Sequence, residues 1–251
     1  MSHSLYNFQR KTWDTLFSNL VELSIDNTIL CGGTALARLY LNHRVSYDLD
    51  FFVPKRFNPE KLLLDLAKIG VNIQSPSIET GELYTNQLSG FIHENGETLK
   101  IDFVEDIYQG MFDIQMVDQG FDDEKWHYPV ITESIDGLYH RKIRTLSGNF
   151  LKTGGISSGR QTARDLFDLF VLNKSVEPIN SFVSRINKFG ANVPVAGLIT
   201  AFNSVLWMEL LDEFDELEKL HQWKNVSLRD VRMTIEDESL ILRAAANDSN
   251  S

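Results

Sequence analysis

The sequence predicts an α+β protein in which a mixed sheet flanked by helices occupies residues 1–130 and a mainly helical C-terminal domain occupies residues 131–251. Three observations carry this reading. Apolar residues recur at helical spacing near the N-terminus. Short apolar runs punctuated by Gly, Pro and Asn come next, as strands bounded by turns do. After about residue 130 the strand-like runs give way to helical ones joined by a Gly- and Ser-rich link.

Leu5, Phe8, Trp13, Leu16, Phe17, Leu20 and Val21 place an amphipathic helix over residues 4–24, a scaffold on which the next elements pack. Thr28 to Cys31 reads as a short strand, Gly32-Gly33 as a tight turn, and Thr34 to Leu41 as a helix. A second strand runs from Tyr47 to Val53 and is closed by Pro54. Asn58 suits an N-cap and Pro59 the first helical position of a helix reaching about Ile69. Between Leu83 and Val104 two strands meet at Asn95-Gly96, a favoured two-residue hairpin turn.

Gln109 to Pro129 carries no strong signal and reads as a loop. Ser134 can cap a helix from Ile135 to Leu146; "SGNFLKTGGISSGRQ" then links to a helix in "TARDLFDLFVLNK". The remainder to about Lys219 reads as mainly helical, and "AAANDSNS" as a fraying end.

No apolar run is long enough to cross a bilayer and the N-terminus lacks a signal-peptide core, so a cytoplasmic location without a membrane partner is expected. Cys31 is the single cysteine and reads as strand core. A net charge of −11 argues against nonspecific coating of nucleic acid. Locally the balance reverses: Arg141, Lys142, Arg144, Lys152, Arg160 and Arg164 occur with no Asp or Glu before Asp165. Such a segment can hold phosphates within an acidic protein.

The chemistry starts at "SYDLDFF". Alternation along a strand turns Asp48 and Asp50 to one face and Tyr47, Leu49 and Phe51 to the other. Two carboxylates roughly 6 to 7 Å apart repel, and a divalent cation between them removes that cost. Hard oxygen donors of this kind suit Mg²⁺; a solvated sheet face suits them as well. In "TLKIDFVED" the same alternation sets Lys100 and Asp102 opposite Leu99, Ile101 and Phe103, so Asp102 is a third carboxylate if the two strands are neighbours. Upstream, Gly32 and Gly33 free the backbone to approach a ligand, and the helix start behind them offers N–H groups to a phosphate.

In this order the residues resemble the nucleotidyltransferases of the DNA polymerase β type, and more narrowly the AbiEii/AbiGii toxin family. The resemblance rests on Gly32, Gly33, Thr34, Ala35 and Leu36, then Arg44, Ser46, Asp48, Leu49, Asp50 and Phe51. Lys142 and "RDLFDL", Arg164 to Leu169, match a later lysine and an Arg-Asp-x-x-Asp-Leu element. The resemblance implies a polymerase β-type nucleotidyltransferase fold and a metal-dependent enzyme. Such an enzyme moves a nucleotidyl group from a nucleoside triphosphate to an acceptor, in some relatives the 3′ end of tRNA. A cognate antitoxin partner is also implied. On this expectation Asp48 and Asp50, joined by Asp102, hold Mg²⁺, while Gly32, Gly33, Thr34, Arg44, Ser46 and Asp168 bind the nucleotide. Lys142 neutralises developing charge, and Asp165 positions the nucleotide or the acceptor.

The residues alone leave alternatives open. Lys142 falls within the apolar stripe Ile135, Leu138, Tyr139, Ile143 and Leu146, where a lysine needs a partner, a phosphate being a natural one. Arg164, Asp165 and Asp168 read as the polar side of their helix, opposite Ala163, Phe167 and Phe170, and Arg164 with Asp168 suits a surface pair. His43 fits a loop or helix-end role, and Ser46 can share the face of Asp48. The acidic run Leu211 to Lys219 suits either a small-molecule cleft or a solvated helix face. Three functions are compatible with these residues: an RNA-directed nucleotidyltransferase toxin, a transferase for a small cationic molecule such as an aminoglycoside, or a noncatalytic nucleotide-binding protein of the same fold.

Overall fold

Burial of alternate residues organises the sheet. The structure, a computed structural model, describes residues 2–81, 85–106, 110–120, 125–148 and 159–248. The chain divides into two compact units, Met1–Leu138 and Tyr139–Ser251.

The first unit holds a mixed seven-stranded sheet in the order β3-β4-β5-β2-β1-β7-β6. Its strands are β1 (Ile29–Cys31), β2 (Asp48–Val53), β3 (Gln74–Glu79), β4 (Gln87–Glu94), β5 (Glu97–Glu105), β6 (Ile114–Gln119) and β7 (Lys125–Glu133). β2 runs parallel to β5, and β1 parallel to β7, while the other neighbours are antiparallel. Helix α1 (Ser2–Phe17) packs on β5 and β7, α2 (Gly32–Ala35) on β1 and β2, and α3 (Pro59–Lys68) on β3 and β4.

Leu49, Phe51, Leu99, Ile101 and Phe103 are all at most 1% exposed. Trp13 of α1 stacks on Phe51 at 5.9 Å, and Phe51 on Phe103 at 5.1 Å. Burying each such side chain is worth roughly 1.5–3 kcal/mol, enough to fix which face of the pleat meets α1. The alternate residues, Asp48, Asp50, Lys100 and Asp102, necessarily take the other face. Val21 is 79% exposed and outside the packed stripe expected of it, because α1 stops at Phe17 and gives way to turns.

Asn58 caps α3 as expected, accepting from the Lys61 N–H at 2.9 Å. Asn95 and Gly96 both have positive φ, 53° and 85°, the geometry that closes β4 onto β5. Leu83, given as the start of that hairpin region, lies outside the described residues. Two expectations are corrected. Residues 36–41 form a π-helical continuation of α2 rather than a regular α-helix, ending at Asn42, whose N–H reaches the Ala37 carbonyl at 2.8 Å. Gln109 to Pro129 is not a plain loop, since β6 and the first part of β7 lie within it. β6 is an edge strand with Ile114 and Met116 exposed, so its apolar residues give no buried alternation to read.

The second unit is helical. α4 (Ile135–Ser147) begins just before the division, and α5 (Ala163–Ser175), α6 (Ile179–Lys188), α7 (Val195–Asn203), α8 (Leu211–Asp215), a 3₁₀ turn at His221–Trp223 and α9 (Leu228–Asp248) come after it. α9 packs on α5, α6 and α7 around Phe167, Phe182 and Phe202. Tyr139 stacks on Phe182 at 4.1 Å while its hydroxyl donates to the Glu177 carbonyl at 3.0 Å. Ala244 to Asp248 are helical, against the fraying expected there, and residues 249–251 lie outside the described residues. Most of the link from Ser147 to Gln161, with Lys152, also lies outside them. The acidic run at α8 is mainly solvated around buried Phe214, and Glu213 accepts from the Ala163 N–H at 3.1 Å at the start of α5.

Candidate active site

The parallel pairing of β2 with β5 sets the acids side by side. Asp50 is the register partner of Asp102, and Asp48 of Lys100. The condition for a third carboxylate, that the two strands be neighbours, is therefore met. On the other side of β5, β4 aligns Ser89 with Asp102 and Phe91 with Lys100, so both share this face. Phe91 is 40% exposed. The Lys100 ammonium donates to Asp102 Oδ2. Asp102 is buried, and its second oxygen, Oδ1, has no hydrogen-bond partner among the described residues.

The glycine turn closes on the same acids. Strand β1 is antiparallel to β2 with Cys31 opposite Asp50, and the next residue, Gly32, has φ +69°. A methyl group on Gly32 would overlap Asp50 Oδ2, so only glycine allows the backbone this near the carboxylate. A methyl on Gly33 would stand 2.5 Å from Arg44 Nη2 and 3.2 Å from Ser46 Oγ. Gly33 thus places Arg44 and Ser46 against the turn. Arg44 is buried and donates from Nη1 to the Val45 carbonyl at 3.0 Å; Ser46 is buried, its carbonyl accepting from Gln9 Nε2 at 2.8 Å. The Thr34 hydroxyl donates to the Asp48 carbonyl. It holds β2 in place rather than standing open to a phosphate. His43 is fully buried just beyond the helical run that ends at Leu41.

Among the described residues no group of three or more His, Cys, Asp or Glu side chains is gathered into a metal cage. The donor set still fits a hard divalent ion. Mg²⁺ takes only one or two carboxylates and keeps several waters, and Asp48 and Asp50 supply such a pair. Oδ1 of buried Asp102, without a hydrogen-bond partner among the described residues, is an acceptor that a cation would satisfy.

In the second unit, Lys142, Asp165 and Asp168 form one ionic cluster. Lys142 Nζ lies 2.9 Å from Asp165 Oδ1 and 2.7 Å from Asp168 Oδ2, with both carboxylates fully buried and the lysine side chain 9% exposed. Asp165 also accepts from Arg160 Nε at 3.1 Å and from the Thr162 hydroxyl at 2.7 Å, while its own N–H donates to Thr162 Oγ1 as the N-cap bond of α5. Burial alone would push the Asp165 carboxyl up, but Lys142, Arg160 and Thr162 together hold it below the usual carboxylate range.

Two expectations change here. Asp165 and Asp168 are not on a polar helix side, and Asp168 is not half of a surface pair, because α5 is buried from Asp165 to Leu172. Within the fold Lys142 pairs with two buried carboxylates. Of the described basic residues from Arg141 to Arg164, Lys142 and Arg160 are both paired with Asp165, and Arg141 is buried. Arg160 and Thr162 were not singled out from sequence for this cluster. Thr162, three residues before Asp165 at a helix start, carried a readable capping signal; Arg160 carried none.

Comparison with known proteins agrees with the fold. No curated protein matches the chain. A solved structure from Helicobacter pylori, JHP933, is 19% identical with a TM-score of 0.45, covering 96% of this chain and 97% of its own. A second H. pylori crystal structure, carrying a provisional nucleotidyltransferase description, is 17% identical with a TM-score of 0.50 over 99% of this chain and 98% of its own, a likeness of fold. The profile of the family described as nucleotidyl transferase AbiEii toxin, Type IV TA system, matches residues 15–226. The match spans β1 to β7 and continues through the Lys142 cluster to α8. This chain therefore belongs to the AbiEii family, the nucleotidyltransferase toxins of type IV toxin–antitoxin systems.

Proposed function

We propose that the protein transfers a nucleotidyl group from a nucleoside triphosphate to an RNA acceptor, the 3′ end of tRNA, with Mg²⁺ held on the acid face of β2 and β5, and that a cognate antitoxin restrains it. The supporting observation is the alignment of Asp50 with Asp102, with Gly32 pressed against Asp50.

Asp48, Asp50 and Asp102 are the residues that would hold the metal. Bound Mg²⁺ supplies Lewis-acid stabilisation of the attacking hydroxyl and of the departing pyrophosphate. Gly32 and Gly33 bring backbone close to the triphosphate, with Arg44 and Ser46 behind the turn. Thr34 fixes the strand that carries Asp48. Phe91 offers an exposed ring on the acid face, and base stacking on such a ring tolerates any sequence. Lys142, Asp165 and Asp168 are assigned to charge neutralisation and positioning on the strength of the family pattern.

A second reading, transfer to a small cationic acceptor, is favoured by the net charge of −11. The two separate cleanly when the protein is incubated with Mg²⁺, each α-labelled triphosphate, and either total tRNA or an aminoglycoside panel. Label appearing on tRNA is expected. Label confined to an aminoglycoside overturns the RNA acceptor.

A further inference from the structure

Lys100 stands on the acid face itself. It is the cross-strand partner of Asp48 and donates its ammonium to Asp102 Oδ2. Asp48, Asp50 and Asp102 contribute three negative charges to this face, and Lys100 returns one positive charge. Its side chain is 36% exposed while that of Asp102 is 10% exposed, so the lysine reaches inward from a wet position to a nearly dry carboxylate. A lysine head group on a flexible four-carbon stem can leave such a position by rotamer change alone. Phe91, its cross-strand neighbour on β4, is 40% exposed.

We infer that Lys100 is a built-in competitor for the divalent cation: it neutralises Asp102 while the site is empty, and gives Asp102 up to the metal when a nucleoside triphosphate arrives to receive the ammonium. The inference rests on the acid face being the metal site proposed above. Coupling is then a matter of linkage, since a triphosphate that draws Lys100 away raises the affinity of the face for metal, and metal raises the affinity for triphosphate by the same factor. The lysine would thereby lower the affinity of the face for metal until nucleotide is present.

The test is Mn²⁺ affinity, read by electron paramagnetic resonance of free Mn²⁺. It is measured on the full chain alone and with the α,β-methylene analogue of each ribonucleoside triphosphate in turn. Wild type, Lys100→Met, Lys100→Arg and Asp48→Asn are compared, with a melting curve on each. Lys100→Met is expected to bind Mn²⁺ about three- to tenfold more tightly without nucleotide, the scale of one charge pair beside a partly buried carboxylate. The gain produced by nucleotide should shrink by the same factor, while Lys100→Arg stays near wild type. Unchanged or weaker nucleotide-free affinity in Lys100→Met, with binding still lost in Asp48→Asn, overturns the role of Lys100 and leaves the metal face standing. Binding that is absent, or indifferent to Asp48→Asn, overturns the metal face and this inference with it.

Discussion

Gly32 stands so close to Asp50 that one added methyl group would overlap the Asp50 carboxylate oxygen. Strand β1, the turn and the acid face of β2 are thereby locked into one geometry. Gly32→Ala faces both that overlap and a φ of +69°, which L-residues rarely adopt. The variant should lose about 2 kcal/mol of stability or more and shift Asp50. Denaturant unfolding checks the first effect and triphosphate binding the second.

Lys142 bonds to both Asp165 and Asp168. Removing it takes a shared cation from two fully buried carboxylates. Lys142→Met should cost about 3–5 kcal/mol. The triple variant with Asp165→Asn and Asp168→Asn should recover part of that loss, because neither buried side chain then carries a negative charge. Urea midpoints of the two variants provide the comparison.

The same cluster sets an acid limit. Asp165 has a depressed carboxyl in the fold, so its contribution is fully present above the ordinary carboxylate value of 3.8 and is lost as pH falls through the lower folded value. Arg160→Ala removes one of the charges that outweigh burial. Its stability deficit relative to wild type should be constant near neutrality and shrink below about pH 4, where the unfolded carboxyl protonates. A series of urea unfolding curves from pH 7 to pH 3 reads this directly.

His140 acts in a higher window. Burial, then Arg144 and Arg141, push it down to about 4 from 6.5, so it is neutral in the fold at pH 7. The unfolded chain binds a proton first, and stability falls as pH drops from 6.5 to about 4. A shift of this size corresponds to roughly 3 kcal/mol across the window. His140→Gln should flatten that slope and leave the region below it unchanged.

Much of the candidate site's geometry was legible because it depends on local alternation. Leu49 and Phe51 must face the core, which sends Asp48 and Asp50 the other way; Leu99, Ile101 and Phe103 do the same for Asp102. Asn95-Gly96 fixed the hairpin that brings β4 beside β5. What was not legible depends on distant partners. Asp165 and Asp168 look like surface acids until Lys142, on another helix, is seen to neutralise them inside the fold. β6 and β7 were hidden for a different reason: an exposed edge strand and a strand that contains Pro129 lack a clean apolar alternation. The π-helical turns after α2 leave no periodic mark in so short a segment.

The central claim is that the β2 acids carry metal-dependent nucleotidyl transfer. It is tested most directly by counting label moved from α-labelled triphosphate to tRNA by wild type, Asp48→Asn and Asp50→Asn, with Mg²⁺ and with chelator. Both variants should melt like wild type, and each should lose at least about two orders of magnitude in rate, as should wild type in chelator. Transfer by folded Asp48→Asn and Asp50→Asn at the wild-type rate would contradict the account.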